Sequence, residues 1–485
     1  MIEEAVLRKA KILKKEEDYL KFIRNIRQTV SDTIISDISP LYLSEPRGVY
    51  QNKSLHVIKP RSTKEVSECL KLATKYEIGI VPWSGGTGLV GGQIAPDKYN
   101  VTLSLEKMNK IKNFSSVNQS IEVEAGVILE SIHEFVDKKN FSFPLSMASK
   151  GSCCIGGNLA TNAGGIGVLR YGNARDLCLG LEVVLSDGSI INDIKTLKKD
   201  NTGYDLKNLF IGSEGSLGII TRAVLRLYPK PTNKVVVFFG VSDFNAALKS
   251  YLEISKRFGQ FLQAFELISD VGMLFLEETK MFRSNIERSK SDWHVLIELG
   301  FNNSSVEEEV YETLNNLFIK NIVSDVVVGD TEAKARNLWK IREDIPEANR
   351  KIGAITSHDI SLPLENMESF INKSLIEIKE INKLLRVNCF GHMGDGNLHF
   401  NIFPPHGEKN TSYLKIKSKL TDIINNNCKS LGGSFSAEHG VGRLKVKDLK
   451  QYCDPGKFNV MWQIKKAMDP FAILNPGVII SQDKN

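Results

Sequence analysis

The sequence predicts an α+β chain of two successive domains, 1–232 and 233–430, followed by a C-terminal helical segment, 431–485. Three observations carry this. Residues 56–83, HVIKPRSTKEVSECLKLATKYEIGIVPW, read as strand, helix and strand, with the helix starting near Ser62–Thr63. Residues 141–232 hold alternating strands between Gly-rich turns and end at PKPTNK, a Pro-rich break. From Val235 the texture changes to strand–helix units with little Gly, such as VVVFFGVSDFNAALKSYLEISKRF and WHVLIELGFNNSSVEEEVYETLNNLFIKN.

Taken in order, residues 1–50 read as an amphipathic helix and a loop. After the strand–helix–strand opening come two alternating strands, YNVTLSLEKMNKI (99–111) and the start of SIEVEAGVILESIHEFVDKK (120–139), the second running into a helical pattern. GLEVVLSDGSII (180–191) and LGIITRAVLRLYPKP (217–231) supply further strands of the first domain. The last fifty residues carry the turn-rich stretches SAEHGVGRLK and MDPFAILNPGVII. No internal repeat or low-complexity tract interrupts this order.

At 485 residues, 42% apolar and 25% charged, the chain is long enough for well-buried cores without disulfide staples. Its net charge of +6 is spread thinly and forms no concentrated basic face, which disfavours a nucleic-acid partner. Seven cysteines without C-x-x-C spacing point to a reduced, cytoplasmic setting. Glu3, Glu4, Glu16, Glu17 and Asp18 occupy a region where a targeting segment would be apolar or poor in acids, so none is expected. No apolar run reaches the length of a membrane span, so any association with an inner membrane is expected to be peripheral.

PWSGGTGLVGGQIAP (82–96) contains Gly86-x-Gly88-x-x-Gly91, the letters of a dinucleotide fingerprint. That fingerprint needs its third Gly inside an opening helix. Here Gly91 is followed by Gly92, Gln93, Ile94, Ala95 and Pro96 and then by another strand, which argues against a nicotinamide-binding Rossmann unit. Successive glycines can instead turn their N–H groups into one concavity, an anion nest that needs no helix. PLSMASKGSCCIGGNLATNAGGIGVLRYGNARD (144–176) and NTGYDLKNLFIGSEGSLGIIT (201–221) add small residues against which a long, flat, diphosphate-bearing ligand could lie. One such stretch alone would read as tight packing; three within the first domain read as a binding surface.

VNCFGHMGDGNLHFNIFPP (387–405) places His392 and His399 around a Gly-Asp-Gly turn, and the following strand puts His399, Asn401 and Phe403 on one face and Leu398, Phe400 and Ile402 on the other. SAEHGVG adds Glu438 and His439, with Gly440 and Gly442 permitting the bend that lets both neighbours serve one site. Any one of these histidines alone would read as a structural group near a turn. Together, His392, His399 and Glu438 form a ligand set suited to a catalytic divalent metal such as Zn2+. His439, kept neutral by a nearby cation, is the candidate general base.

These motifs resemble the flavoprotein oxidoreductases of the vanillyl-alcohol oxidase and para-cresol methylhydroxylase type, and within them the D-2-hydroxyacid dehydrogenases, over nearly the whole chain from about residue 45. The resemblance implies a two-part FAD-binding domain, an N-terminal helix and two α/β subdomains, then an α+β substrate (cap) domain and a C-terminal segment that returns to the cofactor. It implies FAD contacts from Trp83, Ser84, Gly85, Gly86, Thr87, Gly88 and Leu89; from Gly151, Ser152, Gly156, Gly157, Asn158, Thr161, Asn162 and Gly164; and from Glu214, Gly218, Ile219, Ile220 and Asn475. No His lies in the 82–96 loop, so the FAD is expected to be non-covalent.

The resemblance further makes Arg342 of RNLWKIREDIPEANRK a clamp for the substrate carboxylate. Asn401 joins it as a substrate contact. Relatives acting on 2-hydroxyglutarate usually have Thr four residues after this Arg and Lys shortly before DISLP, where this chain has Pro346 and Ser357; His358 is a partial substitute. The expected activity is FAD- and metal-dependent oxidation of a D-2-hydroxy acid, with D-lactate or glycolate dehydrogenase as the alternative. A flavin subunit that only relays electrons would be expected to lack these metal ligands. An electron-transfer flavoprotein, a quinone or a cytochrome is expected as acceptor, and a homodimer is compatible with the sequence.

Overall fold

Ser62 starts the first interior helix as its hydroxyl suggests. Its Oγ accepts from Glu65 N at 3.2 Å, and Thr63–Tyr76 then runs until Glu77 turns left-handed. Val66, Cys69, Leu70 and Ala73 on one helix face share a core with Ile80, Val101 and Leu103, which Tyr19, Phe22 and Ile26 complete from the N-terminal helical segment. The computed structural model describes residues 2–282, 291–303 and 305–481. Its contacts divide into two units: Met1–Ala163, Asn173–Pro229 and His439–Asn485 form the first, Gly164–Gly172 and Lys230–Glu438 the second. The first division falls beside the expected 232/233 boundary. The second falls after Glu438, and residues 164–172 join the second unit although the sequence had placed them in the first domain.

The first unit holds a four-stranded sheet in the order Ile35–Asp37, His56–Ile58, Val101–Ser104, Ile80–Trp83, the last three strands parallel. It also holds a five-stranded antiparallel sheet, Ile111–Ser115, Ser120–Glu124, Ile219–Arg226, Cys178–Val184, Ile190–Asp193. After His439 the chain forms the helices Val446–Tyr452 and Pro455–Met468. It then returns to the first sheet, where Ile80 N donates to Ile473 O at 2.7 Å and Asn475 N to Ile80 O at 2.8 Å.

The second unit is a seven-stranded antiparallel sheet, Ser324–Gly329, Asn233–Val241, Trp293–Phe301, Leu262–Ser269, Arg386–His392, Asn397–Phe403, Thr356–Ser361. Helices Phe244–Phe258, Ser305–Ile319, Met367–Ile381 and Lys417–Ser430 bury one face with Leu398, Phe400 and Ile402. Helices Asp270–Glu278 and Glu332–Ile352 cover the other, with Phe390 and Phe403. The two faces of the 397–403 strand are those its alternation predicted. Glu332–Ile352 stays helical through Pro346, although Pro has no N–H to give the carbonyl one turn back, that of Arg342. No helix among the described residues is long and apolar enough to cross a membrane.

Candidate functional site

The Gly-rich loop after Ile80–Trp83 contains no helix, and Gly85, Gly86 and Gly91 take left-handed φ of 80°, 71° and 72°. Among the described residues, no backbone N–H from 85 to 92 donates to a protein acceptor. Such a run of unpaired donors is costly unless a ligand supplies acceptors, and it is the expected chemistry of an anion nest. At Gly86 a Cβ would sit 2.2 Å from Trp83 Cζ2, so only Gly lets this loop close over the indole. Ser84 ties the loop to the second Gly-rich block by accepting from Gly157 N at 2.9 Å. Gln93 Nε2 donates back to Gly88 O at 2.8 Å.

Around this loop the first unit forms a partly open cleft. Trp83, Ser84, Gly86, Thr87 and Gly88 line it from the loop; Gly156, Gly157, Asn158 and Thr161 from the second block; Glu214, Gly218, Ile219 and Ile220 from the third. Asn475 and His439 complete the predicted set. Buried Asn158 Oδ1 has no hydrogen-bond partner among the described residues, as a ligand-facing acceptor would. The nest, the cleft and this orphaned amide together fit a cofactor with a diphosphate.

Glu214 does more than line the cavity. Its buried carboxylate accepts from Val441 N at 2.7 Å and Gly442 N at 2.8 Å, holding the turn that follows His439. Gly440 is left-handed (φ 77°), and a Cβ there would meet Glu214 Oε1 at 2.6 Å. Burial pushes the Glu214 carboxyl up to about 7, with the two amides pulling the other way. Arg443 fixes the same turn, donating to Ile94 O at 2.8 Å and to Asn475 Oδ1 at 3.1 Å, while Asn475 Nδ2 donates to Glu214 O at 2.8 Å.

In the second unit, antiparallel register lines up Glu266 with His392, Phe390 with His399, and His399 with Asp359. His392 Nε2 lies 3.6 Å from Glu438 Oε1 and His399 Nε2 lies 4.0 Å from Glu438 Oε2. One ligand atom from each of the three residues falls within a 4.8 Å set. Two ligands of a tetrahedral zinc ion stand about 3.4 Å apart, given bonds of about 2.0–2.1 Å, so these spacings suit a shared cation. Each imidazole also has a carboxylate on its other nitrogen: Glu266 Oε1 at 2.6 Å from His392 Nδ1, and Asp359 Oδ1 at 3.6 Å from His399 Nδ1. That outer pairing is the usual partner of a metal-bound histidine. Asp359 also accepts from Glu438 N at 2.9 Å and from Asn397 Nδ2 at 2.9 Å.

The electrostatics agree. The surrounding protein raises the Glu438 carboxyl, His392 pulling it back only in part, and burial with the nearby Glu266 and Glu438 lifts Asp395 to about 7. A divalent cation would relieve such crowded carboxylates. Burial disfavours the charged His392, yet Glu266 and Glu438 outweigh it and raise the ring. Burial likewise opposes ionisation of Glu266, but His392 and Arg342 bring it down to about 2.

Arg342 donates from Nε to Glu266 Oε2 at 2.7 Å and stacks 4.7 Å from the Phe390 ring centre. Its terminal Nη1 and Nη2 make no hydrogen bond among the described residues, which leaves the forked edge open. Asn401, only 7% exposed and on the His399 face, also makes no side-chain hydrogen bond among them.

Several expectations need correction. His358 pairs with Phe400, one step out of phase with the Asp359–His399 pair, so it points into the apolar layer and away from the histidine face. Gly164 belongs to the second unit, where a Cβ would lie 3.0 Å from Glu438 Oε1, and it does not line the cavity. Gly85 packs against Ser152, where a Cβ would run into the carbonyl, while its N–H and that of Leu89 stay among the unpaired donors of the loop; Gly151, Ser152 and Asn162 lie outside the cleft lining. Gln93 and Leu105 of the lining, and Glu266 and Asp359 beside the histidines, were not foreseen, whereas Gly92 and Gly215 lie within the Gly-rich stretches expected to hold the cofactor. Gln93 too lay inside the quoted loop.

Comparison with known proteins identifies the family. Residues 54–193 match the FAD binding domain family and residues 230–479 the C-terminal domain of FAD linked oxidases. A mitochondrial D-2-hydroxyglutarate dehydrogenase of Arabidopsis thaliana is 37% identical over 434 residues, 89% of this chain and 76% of that one. A D-2-hydroxyglutarate–pyruvate transhydrogenase of Saccharomyces cerevisiae is 34% identical over 438 residues, 88% and 86% of the two chains. In fold, a substrate-bound p-cresol methylhydroxylase superposes with a TM-score of 0.75 at 18% identity, covering 97% of this chain and 98% of the other. The chain belongs to the FAD-linked oxidases, with the fold of the vanillyl-alcohol oxidase and p-cresol methylhydroxylase flavoproteins and with D-2-hydroxyacid dehydrogenases among its relatives.

Proposed function

We propose that the chain is an FAD- and divalent-metal-dependent dehydrogenase that oxidises a D-2-hydroxy acid to its 2-oxo acid. The observation that carries the metal part is the His392, His399 and Glu438 set, each imidazole backed by a carboxylate. When bound, FAD supplies the acceptor for the C2 hydride. When bound by His392, His399 and Glu438, a divalent cation, zinc by its ligands, supplies Lewis-acid polarisation of the substrate hydroxyl.

The chain's own residues do the rest. The open edge of Arg342 receives the C1 carboxylate at two points and fixes which face of C2 is presented. Asn401 offers an amide to the same substrate. Neutral His439 takes the hydroxyl proton as the C2 hydride leaves, and returns it to solvent. A separate acceptor of the electron-transfer flavoprotein, quinone or cytochrome kind would take the electrons that a bound FAD collects.

2-Hydroxyglutarate is the first substrate to try, since the relatives named above act on it. D-lactate or glycolate is the second reading, favoured by Ser357, an exposed neutral residue directly opposite Asn401. The test is a panel of D-2-hydroxyglutarate, D-malate, D-lactate and glycolate with an artificial acceptor, run beside the visible spectrum and the metal content per chain. Absence of a flavin band, or turnover unchanged by a chelator that strips the metal, would defeat the corresponding part.

A further inference from the structure

Glu266 is the most deeply placed ionised group of the second unit that the proposed chemistry leaves without a task. It stands on Leu262–Ser269, and its side chain is 1% exposed. Its two oxygens serve two different donors: Oε1 takes His392 Nδ1 at 2.6 Å and Oε2 takes Arg342 Nε at 2.7 Å. A buried carboxylate with one partner would serve neutralisation alone. This one bridges a candidate metal ligand and the candidate substrate clamp.

The bridge has geometric consequences. Glu266 on Nδ1 fixes the orientation of the His392 ring and turns its Nε2 towards Glu438. An Nε–H held on the same carboxylate, with Phe390 against the guanidinium face, fixes Arg342 both in its plane and about it, with the Nη edge left open. We infer that Glu266 is a positioning residue that sets the metal ligand and the carboxylate clamp at one fixed spacing, so that its loss weakens metal binding and substrate binding together.

The inference rests on the metal and clamp roles proposed above, and its test separates the two. Glu266→Gln keeps the size and one acceptor but turns an NH2 towards one of two N–H donors. Glu266→Asp keeps the charge but is one methylene too short to reach both, and serves if the Gln variant does not fold. The full-length flavin-containing proteins are dialysed against chelator-buffered zinc, zinc per chain is counted by mass spectrometry, and KM and kcat are then measured at saturating zinc.

Glu266→Gln is expected to lose about 10–100-fold in zinc affinity, the usual effect of removing a metal ligand's outer partner. At saturating zinc its KM is expected to rise about tenfold or more, with a smaller change in kcat. Arg342→Lys, which loses the fork, is the comparison: it raises KM but leaves zinc affinity within about threefold. Zinc affinity and KM both unchanged in Glu266→Gln, or both altered only in step with a fall in folded fraction, would overturn the inference. A wild type that binds no zinc overturns the metal reading instead, and the KM measurement then decides alone whether Glu266 holds Arg342.

Discussion

Glu214→Gln tests whether a buried carboxyl anchors the turn after His439. In the native chain the group titrates near 7 against an ordinary 4.5, because burial outweighs the two amides of Val441 and Gly442. Between those values the folded chain holds a proton that the unfolded chain has released. Stability therefore falls as pH rises through the window, by about 3 kcal/mol in total at about 1.4 kcal/mol per pH unit. Gln does not titrate, so this slope vanishes in the variant. Gln also has one acceptor oxygen where the carboxylate gave two, which costs about 1 kcal/mol at every pH. The variant should then be less stable than wild type by about 1 kcal/mol at pH 4, and more stable by about 2 kcal/mol at pH 8. Thermal unfolding of matched flavin-loaded samples at the two pH values reads this crossing. A deficit of the same size at both would refute the reasoning, because it would mean that Glu214 is ionised in the fold throughout.

Gly86→Ala forces a Cβ into Trp83 at a left-handed φ of 71°, a combined cost of about 2–5 kcal/mol, so the protein should purify largely without flavin, as read from its visible-to-ultraviolet absorbance ratio. His439→Gln should retain flavin and zinc while kcat falls about 10²–10⁴-fold; retention of most of the activity would remove it as the base. Lys465→Met removes the cation from the fully buried Asp469, whose carboxylate meets Lys465 Nζ at 2.5 Å and keeps the Ile473 and Leu474 amides, and should cost about 3 kcal/mol in thermal unfolding. Because Lys465 also donates to Ser216 O and Leu474 O at 2.8 Å each, flavin retention should fall with it.

The elements were legible where burial imposes a period. His399, Asn401 and Phe403 separated from Leu398, Phe400 and Ile402 because a strand between two helical layers must alternate. The Gly86-x-Gly88-x-x-Gly91 letters were correctly refused as a helix-opening fingerprint because Pro96 and the strand Val101–Ser104 leave no room for one. Register between strands was not legible, and His358 shows the cost: within its own strand it is one residue from Asp359, and only pairing with Phe400 reveals that it faces the apolar layer. Glu266 stayed hidden for a related reason. It sits in QAFELIS among apolar neighbours, and its partners lie 76 and 126 residues away. A Gly that packs against backbone, as Gly85 does against Ser152, looks in sequence like one that only admits a ligand, so the packing role of this loop was not legible.

One position of the 356–361 strand tests the substrate reading proposed above. Register places Ser357 directly opposite Asn401 and two residues from Asp359, hence on the face that carries His399, and the side chain is exposed. If the substrate tail extends along this face, a cation at 357 would meet a distal carboxylate, and a hydroxyl would not. Ser357→Lys should therefore raise kcat/KM for D-2-hydroxyglutarate over D-lactate. An ammonium that remains in contact with water contributes only about 1 kcal/mol to such a pair, so the shift in the ratio should be about fivefold and should shrink with added salt. The measurement is the ratio of the two kcat/KM values in variant and wild type at low and high ionic strength. A ratio that does not move, with flavin and zinc content intact, would mean that the substrate tail leaves the site in another direction and that the neutral residue at 357 carries no information about specificity.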